Sequence, residues 1–276
     1  MRESYPAAVR WLLLACLILA AGGSVGSGCA ASYAAPGGAA RWSDVGFEQK
    51  QLMTPDSDVR ATFDRRPAAS FPTALCVVRV QAAGYTSKTG RGYGEGRYSV
   101  ITQRDVESDE AVARLNALPQ VSGVAAVNRL LLPQSLTSDS ELRQAAAALG
   151  CDVMLLYTLD TSFESDEQAK PLAVVTLGLS PTKVARVTTT ASALAVDTRT
   201  GFVYAVAEAT AEDDQLANSW TSESAIDQTR RRVEQAAFDK LVGEVETAWA
   251  GVVANHAGGV TPPAVPAAPP MPRPEV

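Results

Sequence analysis

The chain has 276 residues, a formal charge of −6, four cysteines and a single histidine, His256. Mild acidity without a basic stripe interleaved by aromatics excludes nucleic acid as a partner. With the one histidine assigned to the tail, Ser-His-Asp, Cys-His and His-ligated metal chemistry are removed from the folded part. An enzyme here would have to work with carboxylates, Lys, Tyr or Ser.

Residues 1–10 are slightly basic, with Arg2 and Arg10 against Glu3, and residues 11–21 form an unbroken apolar run. A spanning helix needs roughly 17–25 apolar residues, so the run is too short to stay in a bilayer. Basic start, short apolar core and the small residues before Cys29 read as an export signal over residues 1–28. Ser27-Gly28-Cys29 resembles the ending of a bacterial lipoprotein signal, which makes Cys29 the expected lipidated first residue. Gly26 stands where such signals usually carry Leu or another aliphatic residue. The alternative is ordinary cleavage near Gly28 with Cys29 left as a free thiol. Two or more acyl chains would anchor the chain stably where one would be reversible.

Residues 29–70 are rich in Ala, Gly, Ser, Asp and Pro without periodicity and read as a tether, unless Trp42, Phe47 and Leu52 dock part of it. Residues 74–81 read as a buried strand and 98–103 as a second. Ser108 caps a helix that ends at Pro119 and shows Val112, Leu115 and Leu118 on one face. A strand follows at 121–132. Ser138 and Glu141 make a capping box for the next helix, and Gly150 supplies its left-handed stop.

Residues 152–159 are a strongly apolar strand expected to run into an acidic loop with Asp160, Glu164, Asp166 and Glu167. Another strand is expected at 173–179. The clearest hairpin joins 184–196 to 202–210 through Asp197-Thr198-Arg199-Thr200-Gly201, with Asp at the entry and Gly at the exit. Ser224 and Asp227 read as a second capping box, opening a helix to about residue 252. Its buried stripe is Ile226, Val233, Ala237, Leu241, Val245 and Trp249. Residues 253–276 hold seven prolines from Pro262 to Pro274 and read as an extended tail. Strands interleaved with helices imply one α/β (α+β) domain over residues 71–252. Its mixed sheet would have helices packed against it, a central β-hairpin and a long C-terminal helix.

Three pieces in order carry a resemblance over residues 141–211. A helix ends in Ala-Leu-Gly and leads into Cys151-Asp152-Val153-Met154-Leu155-Leu156. A strand of small and apolar residues closes on Ala195-Val196-Asp197-Thr198-Arg199-Thr200-Gly201, and Phe202-Val203-Tyr204-Ala205-Val206 returns. This block resembles a periplasmic lipoprotein superfamily. Its members include the curli secretion channel lipoprotein, the lipoprotein activators of penicillin-binding proteins, and the amino-terminal domain of the Tol translocation protein. The resemblance implies protein–protein or envelope-assembly roles and no shared catalytic residues. The expected location is the cell envelope, lipid-anchored at the outer membrane on its periplasmic side.

Other candidate chemistry is sparse. Gly90, Gly92, Gly94 and Gly96 follow a strand and sit with Lys88, Arg91 and Tyr93, which makes a ligand or partner loop. A P-loop needs Gly-Lys-Ser/Thr after four spacers, whereas Lys88 precedes the glycines. Two readings stay open for Cys76 and Cys151, one disulfide or two buried thiols. They are too few for a zinc site, so neither metal nor cofactor is expected. Arg230, Arg231 and Arg232 can pair with Asp227 and Glu234 at helical spacing, as a solvated face.

The expected function is that of a non-enzymatic envelope lipoprotein binding a protein or glycan partner. The alternative is an exported small-ligand binder or enzyme using the Gly90 to Gly96 loop. A pore subunit is a third reading, since the hairpin strands have membrane-strand length, but small residues on both faces fit a packed sheet better.

Overall fold

The computed structural model describes residues 36–45, 55–167, 183–216 and 223–258. The export signal, Cys29, Phe47, Leu52, the strand expected at 173–179 and the Pro-rich end lie outside them. Helices α1 (Trp42–Val45) and α2 (Pro55–Phe63) precede strand β1 (Thr73–Ala82). β1 lies parallel to β6 (Val153–Glu167), with Leu75 to Val78 against Val153 to Leu156. Its other side is used twice. The first half runs parallel to β4 (Val121–Ala126), and the last four residues run antiparallel to β3 (Tyr98–Ile101).

β6, β7 (Lys183–Asp197) and β8 (Val203–Leu216) continue as an antiparallel meander. The order is therefore β3-β1-β6-β7-β8 with β4 alongside β1. This is the mixed sheet expected from the sequence, but the hairpin expected at its centre lies at one side, with its outer strand β8 as the edge. The short strands β2 (Glu95–Gly96) and β5 (Ser135–Leu136) form a separate parallel pair.

The helices start where side chains can satisfy their first N–H groups. Ser108 caps α3 (Asp109–Asn116), accepting from the Ala111 N–H at 3.1 Å. Before α4 (Asp139–Ala148), the Glu141 carboxylate accepts from the Ser138 N–H at 3.0 Å and from its hydroxyl at 2.6 Å. Gly150, at φ +71°, turns the chain out of that helix into β6.

The sheet's two faces differ in side-chain size. Ala191, Ala193 and Ala195 of β7 lie beside Ala205, Ala207, Ala209 and Ala211 of β8 on one face. Small side chains let a helix approach closely, and α5 (Glu223–His256) lies there, with α3 beside it. All six residues of its expected stripe are buried, joined by Phe238, Val242 and Val252. On the opposite face, Cys76, Val78, Val80, Met154 and Leu156 meet Leu142, Ala145 and Ala146 of α4.

Four expectations are corrected. Part of the 29–70 tether is folded: Ala39 bridges Gln81, and Ala40 and Val45 are buried. The acidic loop is the second half of β6, because its ladder with β7 runs on without a break from the Val153–Asp197 pair to the Glu167–Lys183 pair. Ser224 lies inside α5 rather than just before it, and Asp227 pairs with Arg230 and Arg231. The last helix passes residue 252 and carries His256 onto the rings of Tyr204 and Phe202, with centroids 5.1 and 6.0 Å away. The histidine therefore belongs to the folded domain, where partial burial lowers its pKa.

Candidate functional site

The glycine-rich loop does not gather its polar residues. Lys88 and Arg91 are exposed, and the Tyr93 hydroxyl donates to the Leu132 carbonyl at 3.2 Å. Arg91 and Tyr93 line an open depression of about 710 Å³, but Lys88 is not part of its lining. The glycines serve packing instead. A side chain on Gly92 would run into Ser99, and one on Gly94 or Gly96 would run into Leu136. Gly96 also sits at φ +136°, a conformation essentially closed to other residues.

Replacing Gly96 with Ala is therefore expected to cost roughly 2–4 kcal/mol, combining about 1–3 for the backbone with the clash. Replacing Gly84, at φ +73° with open space around it, is expected to cost about 1 kcal/mol. Urea melts of the two variants check this, and an equal or larger loss at Gly84 would contradict the packing role.

Cys76 and Cys151 are free, buried thiols in the layer beneath α4. The adjacent Cys151 and burial push the Cys76 thiol up, while Cys76 lowers Cys151, whose S–H donates to the Leu149 carbonyl at 4.0 Å.

The loop after β7 is locked by one carboxylate. Asp197 accepts from the N–H groups of Arg199 (2.8 Å), Thr200 (2.9 Å) and Ala68 (2.6 Å), and from the Tyr204 hydroxyl (2.8 Å). Burial opposes its charge, yet these donors outweigh burial and hold its pKa below the ordinary value. A carboxylate so fully used is a structural pin rather than a base.

A buried ion network joins β1 to α5. Arg79 donates to Asp105 at 2.7 Å, to the Tyr85 hydroxyl at 3.3 Å and to Glu234 at 3.5 Å. Arg230 reaches Glu234 at 2.6 Å and Asp227 at 3.0 and 3.1 Å. Thr161 of β6 donates to the second Glu234 oxygen at 3.0 Å. The solvated face expected for the three arginines is corrected for Arg230, which is buried with Asp227 and Glu234, whereas the Arg231 and Arg232 side chains remain 42% and 56% exposed. Burial opposes the charge on both arginines, but the surrounding carboxylates and tyrosines more than offset it and raise their pKa values. The sequence signal was Arg79 inside the apolar run from Leu75 to Val80, because a buried arginine demands partners.

The sheet face away from α5 is only partly covered. Over β6, β7 and β8 it carries two cross-strand rows, apolar Leu156–Leu194–Val206 and polar Thr158–Ser192–Glu208. With Val80, Ala40 and Val45 they line a groove of about 460 Å³ that opens at β8. Thr158 donates to Gln81 at 2.7 Å and accepts from the Ala40 N–H at 3.1 Å, which ties the 36–45 segment to the groove wall. Ser192 donates to Glu208 at 2.9 Å. Val206 is 67% exposed. None of these residues was singled out from the sequence as a site, because strand order alone brings them together.

Among the described residues no three His, Cys, Asp or Glu side chains are grouped to hold a metal, and no helix is long and apolar enough to cross a membrane. No family model matches the chain, and no curated protein matches it. Solved structures do resemble it. A Xanthomonas campestris protein of family DUF330 is 14% identical, covering 68% of this chain and 90% of its own, with a TM-score of 0.34. The PelC dodecamer from Paraburkholderia phytofirmans is 12% identical over 66% and 94%, with a TM-score of 0.28. A lipoprotein from Neisseria meningitidis is 14% identical over 67% and 99%, with a TM-score of 0.26. At these identities and scores the likeness assigns neither a family nor an activity to the chain.

Proposed function

We propose that this is an exported, lipid-anchored envelope protein whose α/β domain binds a protein partner and carries out no catalysis of its own. The observation that carries the binding role is the groove on the sheet face that the described residues cover only in part, open at the edge strand β8. Its lining pairs an aliphatic row with the polar row Thr158, Ser192 and Glu208, and the one aromatic residue in it, Tyr157, is buried and offers no platform on which a sugar could stack, which favours a protein over a glycan. The signal ending at Cys29 and the resemblance over residues 141–211 support export and an anchor at the outer membrane, on the periplasmic side.

The anchor has its own test. Cells grown with a clickable fatty-acid analogue are expected to label the wild-type chain and leave Cys29→Ala unlabelled. Equal labelling of both would remove the anchor from this reading. The binding role is tested separately by cross-linking from the groove: a photo-reactive residue placed at Val206 should trap an envelope protein, while one at exposed Arg91 should not. Identical products from both positions would count against the groove.

A further inference from the structure

We propose that β8 and its groove take up an extended segment of another protein as an added strand, and that this segment carries an apolar residue followed two positions later by a basic one. The inference rests on the domain being a binding module but does not depend on the lipid anchor. Among the described residues no strand pairs with the outer side of β8. Natural sheets guard such edges with charged side chains, above all Lys, with Pro or with bulges. Between Val203 and Leu216 there is neither Lys nor Pro. A register shift lies near the start of the strand, opposite Ala195 and Val196. Further on, Lys240 donates to the Thr210 carbonyl at 3.0 Å. The stretch from Ala205 to Ala209 is left as the place where a new strand pairs.

The side chains of that stretch set the partner's pattern. Val206 and Glu208 lie two apart and therefore on the same face, the groove face. A strand laid beside β8 sets alternate side chains next to them, one over the apolar row ending at Val206 and the next beside the Glu208 carboxylate. β8 carries Glu208, Glu212, Asp213 and Asp214 and no basic residue, and the whole chain is net negative. A second copy pairing through β8 would bring two acidic strands together. A basic partner is complemented by the strand, and a second copy is not. In this mode main-chain hydrogen bonds supply affinity and alternate side chains supply specificity.

The test uses the full chain in detergent and a fluorescent synthetic peptide, Thr-Val-Thr-Lys-Thr-Val-Thr, read by anisotropy. Its Lys→Glu counterpart is expected to bind about tenfold more weakly, equivalent to about 1.4 kcal/mol. Val206→Lys should abolish binding of the first peptide, and Glu208→Lys should invert the preference so that the Glu peptide binds better. That inversion separates recognition from loss of structure, because a misfolded variant would bind neither. Equal affinity for the two peptides, or an unchanged preference in Glu208→Lys, overturns the proposal. So does sedimentation showing a dimer that Val206→Lys dissolves, since the edge would then belong to a second copy.

Discussion

Replacing Glu234 with Ala is expected to cost about 3–5 kcal/mol, the loss that follows when one partner of a buried ion pair is removed and the other stays. Glu234 is bound by Arg230 at 2.6 Å, approached by Arg79 at 3.5 Å and bonded by Thr161 at 3.0 Å. Neither guanidinium can reach water, since both are fully buried. The matched control is Glu246→Ala, which breaks a pair with Arg114 of equally short distance, 2.6 Å, but with both side chains more than a third exposed. Solvent screening limits that pair to below about 1 kcal/mol. Urea melts of the two variants decide the matter. Equal losses would mean that the network is hydrated in solution and does not behave as a buried one.

Trp249→Ala is expected to cost about 3–5 kcal/mol, with Leu241→Ala at about 2–5. Trp249 is 1% exposed, packs against Phe71 with centroids 6.2 Å apart and donates its indole N–H to the Pro119 carbonyl at 2.9 Å. Truncation leaves a cavity and strands that carbonyl. Trp249→Phe separates the two effects, because it keeps most of the ring volume and removes the donor. Calorimetric melting should order the three chains as wild type, Trp249→Phe, Trp249→Ala. A Trp249→Ala chain melting with the wild type would place the end of α5 outside the cooperative unit.

Where local chemistry decides structure, the sequence was readable. Ser108, Ser138 with Glu141, and Gly150 announced helix ends because a cap needs only a few neighbouring residues. The stripe of α5 was readable from its spacing. The second half of β6 was not, because Asp160 and Glu164 look like loop residues until Arg186 and its neighbours arrive from β7. The last turn of α5 was missed for a similar reason, since its contacts come from Phe202 and Tyr204, some fifty residues earlier.

The expected ligand loop failed on geometry. Its glycines answer to Ser99 and Leu136, and the Tyr93 hydroxyl is already bonded to a carbonyl. The groove was invisible for a topological reason. Val80, Leu156, Leu194 and Val206 are distant in the chain and share a surface only because β1, β6, β7 and β8 stand in that order.

The alanine face beneath α5 has a consequence for where that helix can rest. A carpet of methyl groups is nearly featureless along the strands, so apolar contact alone would hold α5 about as well one turn forward or back. Two anchors about four turns apart remove that freedom. At one Glu234 meets Arg79 of β1 and Thr161 of β6, and at the other the Trp249 indole meets Pro119. A slip of one turn, about 5.4 Å, breaks both at once. The smooth face sets how near the helix comes, and the polar contacts set its address along the sheet.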